Sequence, residues 1–425
     1  MLAEKYAWEG MFAMSEAKAL GYEIKVVMLL GFAYGFAFYD RQTMSFLSPI
    51  VVKDFHLNNA QVGALGSGLS LTWALGAYFI GRWSDKAGVR KPFLLAFMLI
   101  FSACSILSGL SVDFWSLLAS RVLMGLVEGP FLPICLAFIA AAAPDQRRGL
   151  DSGIVQNVFG GLLGNALAPI IVVWIAVNWG WRSSFYLAGV PGLILFLLVW
   201  KFIKEPPRMA PSATGEPDKG ATIVAMLKER NIALCALMSP LLIGTLILFS
   251  IFMPLYLTGP RGYSNTTMSY IMSIVGLCPA IGAPIFTGIS DRIGRKLPMI
   301  VGATIPAFCP LAALYFPGSP VALTAVMFVA YLGIGMYPLY MGVVPSETLK
   351  FRNIAAGMGI VVAVGELSGG VVAPVVTGWL ADKTTLATPL LVAAGMSFLG
   401  GFICLFLKET NPAVLARREA VVAAI

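Results

Sequence analysis

Four charged residues lie inside apolar stretches that are long enough to cross a lipid bilayer. Asp40 and Arg41 are near the middle of the first such stretch, and Arg121 and Glu128 lie in a later one. Inserting one such charge at a helix centre costs about 2.5–3.5 kcal/mol, so a buried charge of this kind indicates function. Arg121 and Glu128 are two helical turns apart and therefore share one helix face. We predict that the two arginines and two acids form one buried, water-accessible cluster between helices.

The residue types in this cluster suit the binding of an anion together with protons. Arg41 and Arg121 can capture a substrate carboxylate, because a guanidinium offers a planar fork of donors and stays charged in any protein setting. Asp40 and Glu128 are the predicted proton carriers, and competition for the same arginine would couple the proton to the anion. The alternative is a structural ion-pair network, Arg41 with Glu128 or Asp40 with Arg121, that only ties two helices together.

Further polar residues are predicted to complete the substrate site. Glu366 lies in the eleventh apolar run among small residues, and it is expected to be protonated, to bond a substrate hydroxyl or to bind a coupling ion. Substrate contact is also predicted for Tyr39, Gln42, Gln156 and Tyr337. Interhelical hydrogen bonds and aromatic packing are the alternatives. If tyrosines line the cavity, an aromatic or partly apolar acid is favoured over a sugar acid.

The composition is that of a protein with many membrane-spanning helices. Of 425 residues, 58% are hydrophobic and 12% are charged, and the mean hydropathy is +0.84. Residues 1–23 are polar and mixed in charge, so no cleavable signal is predicted there. The net charge of +8 does not indicate nucleic-acid binding, since the basic residues lie between apolar runs and not in one patch. The six cysteines lack CxxC spacing, so neither a metal site nor a disulfide is predicted.

Twelve apolar runs have the length of a membrane span. They lie at about 24–52, 58–82, 92–110, 114–142, 148–177, 184–203, 231–258, 265–290, 298–316, 320–346, 352–380 and 387–408. Lys53, Arg182, Arg261 and Lys383 lie on one side of these runs, whereas nearly all other Lys and Arg lie on the opposite side. Because cytoplasmic loops are rich in Lys and Arg, both termini are predicted to be cytoplasmic, in a multi-pass protein of the cell inner (plasma) membrane.

The two halves of the chain repeat each other. Residues 84–92 match 290–298 at an offset of 206, and residues 164–174 match 369–379 at an offset of 205. Two matches at nearly the same offset indicate parallel six-helix repeats around a midplane site. The predicted fold is therefore an all-α membrane protein of twelve transmembrane helices in two pseudo-repeats. Its predicted parts are an N-terminal segment (1–23), a first six-helix bundle (24–203), a cytoplasmic linker (204–230), a second bundle (231–408) and a cytoplasmic tail (409–425).

The loop between the second and third runs carries a family resemblance. It reads Gly81-x-x-x-Asp85-Lys86-x-Gly88-x-Arg90-Lys91 and resembles the cytoplasmic signature loop of the major facilitator superfamily, with a reduced copy at 291–296. The predicted conformational latch comprises Gly81, Asp85, Gly88, Arg90, Asp291 and Arg292. Asp85 can cap or pair with an opposing helix end, Gly88 permits a tight turn, and Arg90 holds the loop at the anionic leaflet. The alternative is simple topology signalling by positive residues.

The first half also resembles one family within this superfamily. The motifs Tyr39-Asp40-Arg41 and Arg121-x-x-x-Gly125-x-x-Glu128-Gly129-Pro130-x-x-Pro133 are similar to those of the anion:cation symporters. The resemblance implies uptake of an organic anion, usually with protons. The predicted partners are a small organic anion, protons and the lipid bilayer.

These features predict a secondary transporter that imports a sugar acid or another small aliphatic or aromatic carboxylate with protons, as a monomer and without a cofactor. The first alternative is an efflux transporter for drugs or lysolipids that resembles the spinster group; Pro130 and Pro133 favour the importer. A transport-dead sensor on the same fold is a second alternative, and the charge cluster argues against it. The motifs GxxxxGK[ST], HExxH and GxSxG do not occur, so ATP-driven transport and hydrolysis have no support and no enzyme is predicted.

Overall fold

The computed structural model shows a helical membrane protein. It describes residues 2–144, 147–206, 223–350 and 353–423, without the side chains of 2–19, 85, 355 and 418–423, and every regular element in these ranges is a helix. Within these ranges, eleven helices are long and apolar enough to cross a membrane, and one further apolar helix is shorter. The chain is therefore a multi-pass membrane protein, and the predicted fold class is confirmed.

The spans are numbered 1 to 12 in chain order. They are Leu20–Phe55, Asn59–Ser84, Lys91–Gly109, Phe114–Ala142, Arg148–Trp179, Trp181–Phe202, Arg230–Thr258, Asn265–Ile293, Lys296–Tyr315, Pro320–Thr348, Ala356–Lys383 and the shorter Thr388–Cys404. The first helix extends back to Leu2, and short helices at Ile223–Leu227 and Pro412–Ala423 lie outside the spans. Most of the predicted linker, residues 207–222, lies outside the described residues.

Several spans depart from the α-helix close to the predicted site residues. Span 4 is α-helical over Phe114–Glu128 and resumes at Phe131, because Pro130 has no backbone N–H to continue the ladder. Span 5 contains the π-helical segment Ile154–Leu167, and span 11 contains Glu366–Val372. π-Helical turns are rare in proteins, and those that occur are often found at functional sites. The departures therefore place irregular backbone beside Glu128 and Glu366.

Span 4 is fixed at its start and along one face. It begins at a capping box, in which Ser116 N donates to Asp113 Oδ1 at 2.8 Å and Asp113 N donates to Ser116 Oγ at 3.2 Å. Further along, a Cβ on Gly125 would lie 2.2 Å from Leu69 O of span 2. Spans 2 and 4 therefore pack backbone to backbone, which only a small residue permits. This contact sets the position of the charged face of span 4.

The two halves share a hydrophobic core at one end of the bundle only. Leu47 of span 1 belongs to the same buried cluster as Phe252 and Leu255 of span 7. The other large cluster contains first-half residues such as Leu30 and Phe97. The end at which the halves share a core is the one that carries the turn at 56–58, and we call it the closed end.

Polar contacts join the halves at the closed end. Asp382, at the end of span 11, accepts hydrogen bonds from Asn59 N at 2.8 Å, Asn59 Nδ2 at 2.8 Å and Ala60 N at 2.9 Å. These donors belong to the first turn of span 2, where unpaired backbone N–H groups favour a carboxylate. Nearer the middle, Ser67 Oγ of span 2 donates to Val371 O of span 11 at 2.6 Å. Spans 2 and 11 are thus bonded along the outer part of their length.

The same pair of spans separates at the opposite end, which we call the open end. Gly81 of span 2 and Gly359 of span 11 face open space: among the described residues, no heavy atom outside the local helix backbone lies within 4 Å of where a Cβ would be. The same holds for Gly153 of span 5 and Gly288 of span 8. The open end carries the loop at 85–91.

Candidate substrate and proton site

Arg121 is buried with donors that have no acceptor. Arg121 is 1% exposed, and its Nη2 donates to Ser108 Oγ of span 3 at 2.7 Å. The guanidinium carbon lies 5.2 Å from the centre of the Phe185 ring of span 6. Within the described chain, Nε and Nη1 have no hydrogen-bond partner. Buried donors in native proteins are nearly always paired, so these two indicate a place for an acceptor that is not part of the chain.

Asp40 is fully buried and bonded on one oxygen only. The Ser105 hydroxyl of span 3 lies 2.8 Å from Oδ1, and Oδ2 has no partner among the described residues. Arg121 is close enough to interact with Asp40 electrostatically, yet no nitrogen–oxygen distance between them is as short as 4.0 Å in the described structure. The Asp40–Arg121 ion pair considered as an alternative is therefore not formed in this conformation.

Glu128 and Arg41 also face each other without a direct ion pair. Glu128 is 7% exposed, and its Oε1 has no partner in the described part of the chain. Arg41 is half-buried, and its guanidinium carbon lies 5.5 Å from the centre of the Trp73 ring of span 2. The charges of Arg41 and Glu128 interact electrostatically, as do those of Glu128 and Asp40. The structure thus brings all four predicted charges into one region.

Glu366 approaches this region from the second half. Its Oε2 is buried without a partner in the described residues and lies 2.9 Å from the position of a Cβ on Gly370. Ser70 of span 2 lies 3.6 Å from that same position, so Glu366 faces the first half. Arg41 is the charge with which Glu366 interacts. Arg41 therefore interacts with acids of both halves.

The predicted amide residues behave differently from each other. Gln42 Nε2 donates to Asn165 Oδ1 at 3.1 Å and lies 3.3 Å from Ser250 Oγ, which joins spans 1, 5 and 7. This is the interhelical hydrogen bonding considered as the alternative for Gln42. Gln156 is exposed and has no hydrogen-bond partner in the described chain.

The two predicted tyrosines take part in packing in this conformation. Tyr39 is 5% exposed and Tyr337 is 9% exposed. The Tyr337 hydroxyl donates to the main-chain oxygen of Leu242. The rings of Tyr337 and Tyr340 meet edge to face with centres 5.4 Å apart. Aromatic packing was the alternative considered for such residues.

The loop at 85–91 is tied to its own half. Gly88 has a φ of +64°, the left-handed value that its predicted tight turn requires. The backbone N–H groups of Arg90 and Lys91 donate to Glu205 at 2.6 and 2.8 Å, just beyond the end of span 6. The side chain of Asp85 lies outside the described residues. Glu205 was not singled out in the sequence analysis.

The second-half copy of this loop uses Arg295 where Arg292 was predicted. Arg295 Nη2 lies 2.8 Å from Glu347 Oε1, and Nη1 is paired with Asp291. Arg292 is exposed and, within the described chain, makes no hydrogen bond. Arg295 N also donates to Glu409 Oε1 at 2.7 Å. Both loops are therefore held by acids of their own half.

Among the described residues, the site combines guanidinium donors of Arg121 that have no acceptor with carboxylate oxygens of Asp40, Glu128 and Glu366 that have no donor. An unpaired buried polar group costs about 1–3 kcal/mol, so four such residues in one region are expected to meet groups from outside the chain. In a bundle of twelve spans whose halves touch at one end and part at the other, this arrangement defines a membrane transport protein.

Comparison with known proteins agrees with this class. The family model of the Major Facilitator Superfamily matches residues 30–348 and 243–423. A hexuronate transporter of Bacillus subtilis (strain 168) is 26% identical over 397 residues, which cover 88% of this chain and 92% of the relative. A cis,cis-muconate transport protein of Acinetobacter baylyi (strain ATCC 33305 / BD413 / ADP1) is 26% identical over 383 residues, which cover 87% and 91%.

A solved structure has the same fold over nearly its full length. A bacterial homolog of the human lysosomal transporter Spinster, in an inward-facing and unoccupied conformation, aligns with a TM-score of 0.76 at 20% identity, covering 90% of this chain and 98% of that one. The chain belongs to the Major Facilitator Superfamily. It is a transporter and not an enzyme, and the relatives named above are consistent with the predicted likeness to the anion:cation symporters.

Proposed function

We propose that the protein imports a small organic carboxylate together with protons by alternating access, in the bacterial inner membrane with both termini cytoplasmic. The observation that carries this proposal is the buried Arg121, whose Nε and Nη1 lack acceptors in the described chain, while Asp40 Oδ2 and Glu128 Oε1 nearby lack donors there. The organic anions named for two relatives support an anion as the substrate.

Competition for the arginines provides the coupling. When Asp40 and Glu128 are ionised, they hold the positive charge of Arg121 and Arg41 and oppose an incoming anion. When they are protonated, the arginines bind the substrate carboxylate in their place. Release of the anion to the open end then returns the arginines to the acids, which lose their protons. The cycle therefore moves anion and protons in the same direction.

Two acids permit a favourable stoichiometry. A monoanion that moves inward works against an inside-negative potential of about 2.3 kcal/mol per charge per 100 mV. One proton neutralises that charge, and two protons make uptake electrogenic and driven by the potential. Asp40 and Glu128 could each carry one proton.

The shape of the molecule supports alternating access. The predicted cytoplasmic side is the open end, which carries the loop at 85–91, and the closed end is sealed by Asp382 and by the shared core. The conformation is then the inward-facing one. The signature loops bond to Glu205 and Glu409 of their own halves, so each loop is expected to move together with its own half when the open end closes.

A ligand screen tests the substrate class first. Thermal stabilisation of the purified protein is measured with glucuronate, cis,cis-muconate and short aliphatic carboxylates, and at least one is expected to raise the unfolding temperature. Arg121→Ala and Arg41→Ala should abolish this stabilisation, whereas Arg417→Ala, which removes an exposed positive charge in the tail, should retain it. Stabilisation by cationic drugs or lysolipids and by none of the acids would refute the proposal and favour efflux.

A transport assay tests the proton site. In proteoliposomes, Glu128→Gln should abolish accumulation driven by a pH gradient and should retain exchange of labelled for unlabelled acid, because the neutral amide resembles the protonated carboxyl group. A Glu128→Gln protein that still accumulates the acid in response to the gradient would contradict the role of Glu128.

A further inference from the structure

The Ser105 hydroxyl lies between an acid and a main-chain carbonyl. Its oxygen is 2.8 Å from Asp40 Oδ1 of span 1 and 2.8 Å from Phe185 O of span 6. Ser105 is 0% exposed, so no solvent competes for these contacts. A hydroxyl group has one proton to donate and can also accept a bond. It can therefore donate to one of the two oxygens at a time.

The protonation state of Asp40 decides which oxygen receives that proton. An ionised Asp40 is an acceptor only, so Ser105 donates to Oδ1 and not to Phe185 O. When Oδ1 gains a proton, the acid becomes the donor to Ser105 Oγ. The hydroxyl then turns and donates its own proton to Phe185 O. No covalent bond other than the new O–H of Asp40 changes.

This hydroxyl lies next to the contacts of Arg121. Ser108, one helical turn beyond Ser105 on span 3, accepts from Arg121 Nη2 at 2.7 Å. The Phe185 ring, on the residue whose carbonyl faces Ser105, lies under the Arg121 guanidinium at 5.2 Å. Phe185, whose ring supports Arg121, is thus also the residue whose carbonyl oxygen Ser105 contacts, whereas Ser108 is joined to Ser105 only through the backbone of span 3.

We propose that Ser105 is a positioning residue that transmits the protonation state of Asp40 to span 6 and, through Phe185, to Arg121. This rests on the proposed function, in which Asp40 carries a proton and Arg121 binds the anion. In the protonated state a continuous chain of hydrogen bonds joins spans 1, 3 and 6 and steadies Arg121 for the substrate. In the ionised state this chain is broken at Phe185.

The other titratable groups around Asp40 are few. Arg121 and Glu128 face it from span 4, Cys104 from span 3, and Tyr39 and Arg41 flank it on span 1. Within the described residues, Ser105 is the side chain that makes a hydrogen bond to the Asp40 carboxyl group. A change in this bond can therefore be separated from changes in the surrounding charges.

Infrared spectroscopy tests the proposal without a substrate. Difference spectra are recorded while the pH of the lipid-embedded protein is varied, and the carbonyl band that disappears in Asp40→Asn is assigned to protonated Asp40. Ser105→Thr and Ser105→Val have the same shape and differ in the hydroxyl. The Asp40 band should stay in place in Ser105→Thr and move to higher frequency in Ser105→Val, because the acid loses its hydrogen-bond partner.

Ser102→Ala is the matched control. Ser102 lies about one turn before Ser105 on span 3, is also 0% exposed, and its hydroxyl has no hydrogen-bond partner among the described residues. Its loss should leave the Asp40 band unchanged. If Ser105→Val does not fold, Ser105→Ala is compared with Ser102→Ala in its place. The proposal would be overturned if the Asp40 band had the same position with and without the Ser105 hydroxyl, or if Ser102→Ala shifted the band equally. It would also be overturned if the protein showed no Asp40 band at any pH at which it is folded.

Transport supplies the second readout. With the acid that best stabilises the wild type in the carboxylate screen, Ser105→Val should lose at least about fivefold in accumulation driven by a pH gradient, the lower end of a typical coupling between two ligands. Exchange without a gradient should stay close to that of Ser105→Thr. Equal accumulation by the two variants would overturn the relay alone, whereas a wild type that binds no carboxylate would overturn the proposed function.

Discussion

The carboxylate of Asp382 is expected to hold the closed end shut. It accepts three hydrogen bonds from Asn59 and Ala60 at the start of span 2. Asp382→Ala removes all three acceptors. The N–H groups at the start of span 2 then bond to water in place of the carboxylate of span 11, so these bonds no longer join the halves. The substitution should therefore favour the conformation in which the closed end opens.

The size of the effect follows from the number and exposure of these bonds. A hydrogen bond contributes about 0.5–1.5 kcal/mol net, and an exposed bond falls at the low end of that range because water competes for it. Three such bonds, with the favourable position of a carboxylate at a helix N-terminus, give about 2 kcal/mol. A change of about 2 kcal/mol shifts the equilibrium between the two conformations about thirtyfold.

Cysteine labelling measures this equilibrium. The six native cysteines are all buried, so the background reaction with a membrane-impermeant thiol reagent is low. Ser67→Cys supplies the reporter, because Ser67 is 4% exposed and lies between spans 2 and 11. If labelling requires opening of the closed end, its rate follows the open population. Asp382→Ala should then raise the rate about thirtyfold, and Asp382→Asn, which keeps one acceptor oxygen, should raise it less.

Asp54 provides the control for this prediction. It is an exposed carboxylate at the same end, but it bonds within the first half, to Arg182 at 3.1 Å and to Trp181 Nε1 at 2.9 Å. Asp54→Ala should leave the labelling of Ser67→Cys unchanged. An unchanged rate in Asp382→Ala, or an equal rise in Asp54→Ala, would refute the conclusion that Asp382 joins the halves.

Three further substitutions test other contacts. Trp73→Ala removes the ring beside Arg41, and the loss of about 0.5–2 kcal/mol of cation–π interaction should weaken binding of the acid, as calorimetry would show. Glu347→Ala removes the acid that Arg295 Nη2 contacts, leaves the guanidinium with Asp291 and Ser290, and should lower the unfolding temperature. Burial raises the pKa of Glu409, but four backbone N–H donors outweigh it and lower the pKa below its ordinary value. The stabilisation from Glu409 is present above its unfolded-state pKa and is lost as the pH falls through the lower folded value, so acidification should lower the unfolding temperature less in Glu409→Gln.

The spans were predictable because one physical quantity sets their length. A helix that crosses the hydrocarbon core needs about 20 apolar residues, so long apolar runs separated by charged loops give the number of spans and their limits within a few residues. The prediction that Arg121 and Glu128 share a face likewise needed only the helical period, and both are buried beside Asp40 in the structure. Period and length act within one helix and can be read from the chain.

Contacts between helices could not be read in this way. Ser105, Ser108 and Trp73 are ordinary members of apolar runs, and their contacts with the charged residues depend on the rotation and depth of neighbouring spans. Gln42 was placed near the substrate, yet the position of Asn165 in the π-helical part of span 5 gives it a protein partner. The spacing of residues along the sequence does not predict a contact of this kind between two helices.

Glu205 and Glu409 had a signal that the sequence analysis did not use. Phe202-Ile203-Lys204-Glu205 at the end of the first half corresponds to Phe406-Leu407-Lys408-Glu409 at the end of the second. Each glutamate accepts the backbone N–H groups at the start of the third span of its half. The hydrogen bonds that hold each signature loop are therefore the same in the two halves. A comparison of the two halves of the sequence could have shown the matching glutamates.

The repeated halves share these mechanical bonds but differ in their interior charges. Asp40, Arg41, Arg121 and Glu128 lie within first-half spans, whereas Glu366 is the single charge in the middle of the second-half spans. In the proposed cycle, the competition between anion and acids for the arginines then takes place within the first half. Arg41 interacts with Glu128 of its own half and with Glu366 of the other, so the occupancy of the first-half cluster alters the field at Glu366. An anion that neutralises Arg41 would leave Glu366 without its opposing charge. Substrate binding would thus change the electrostatic energy of Glu366 and favour a movement of the second half.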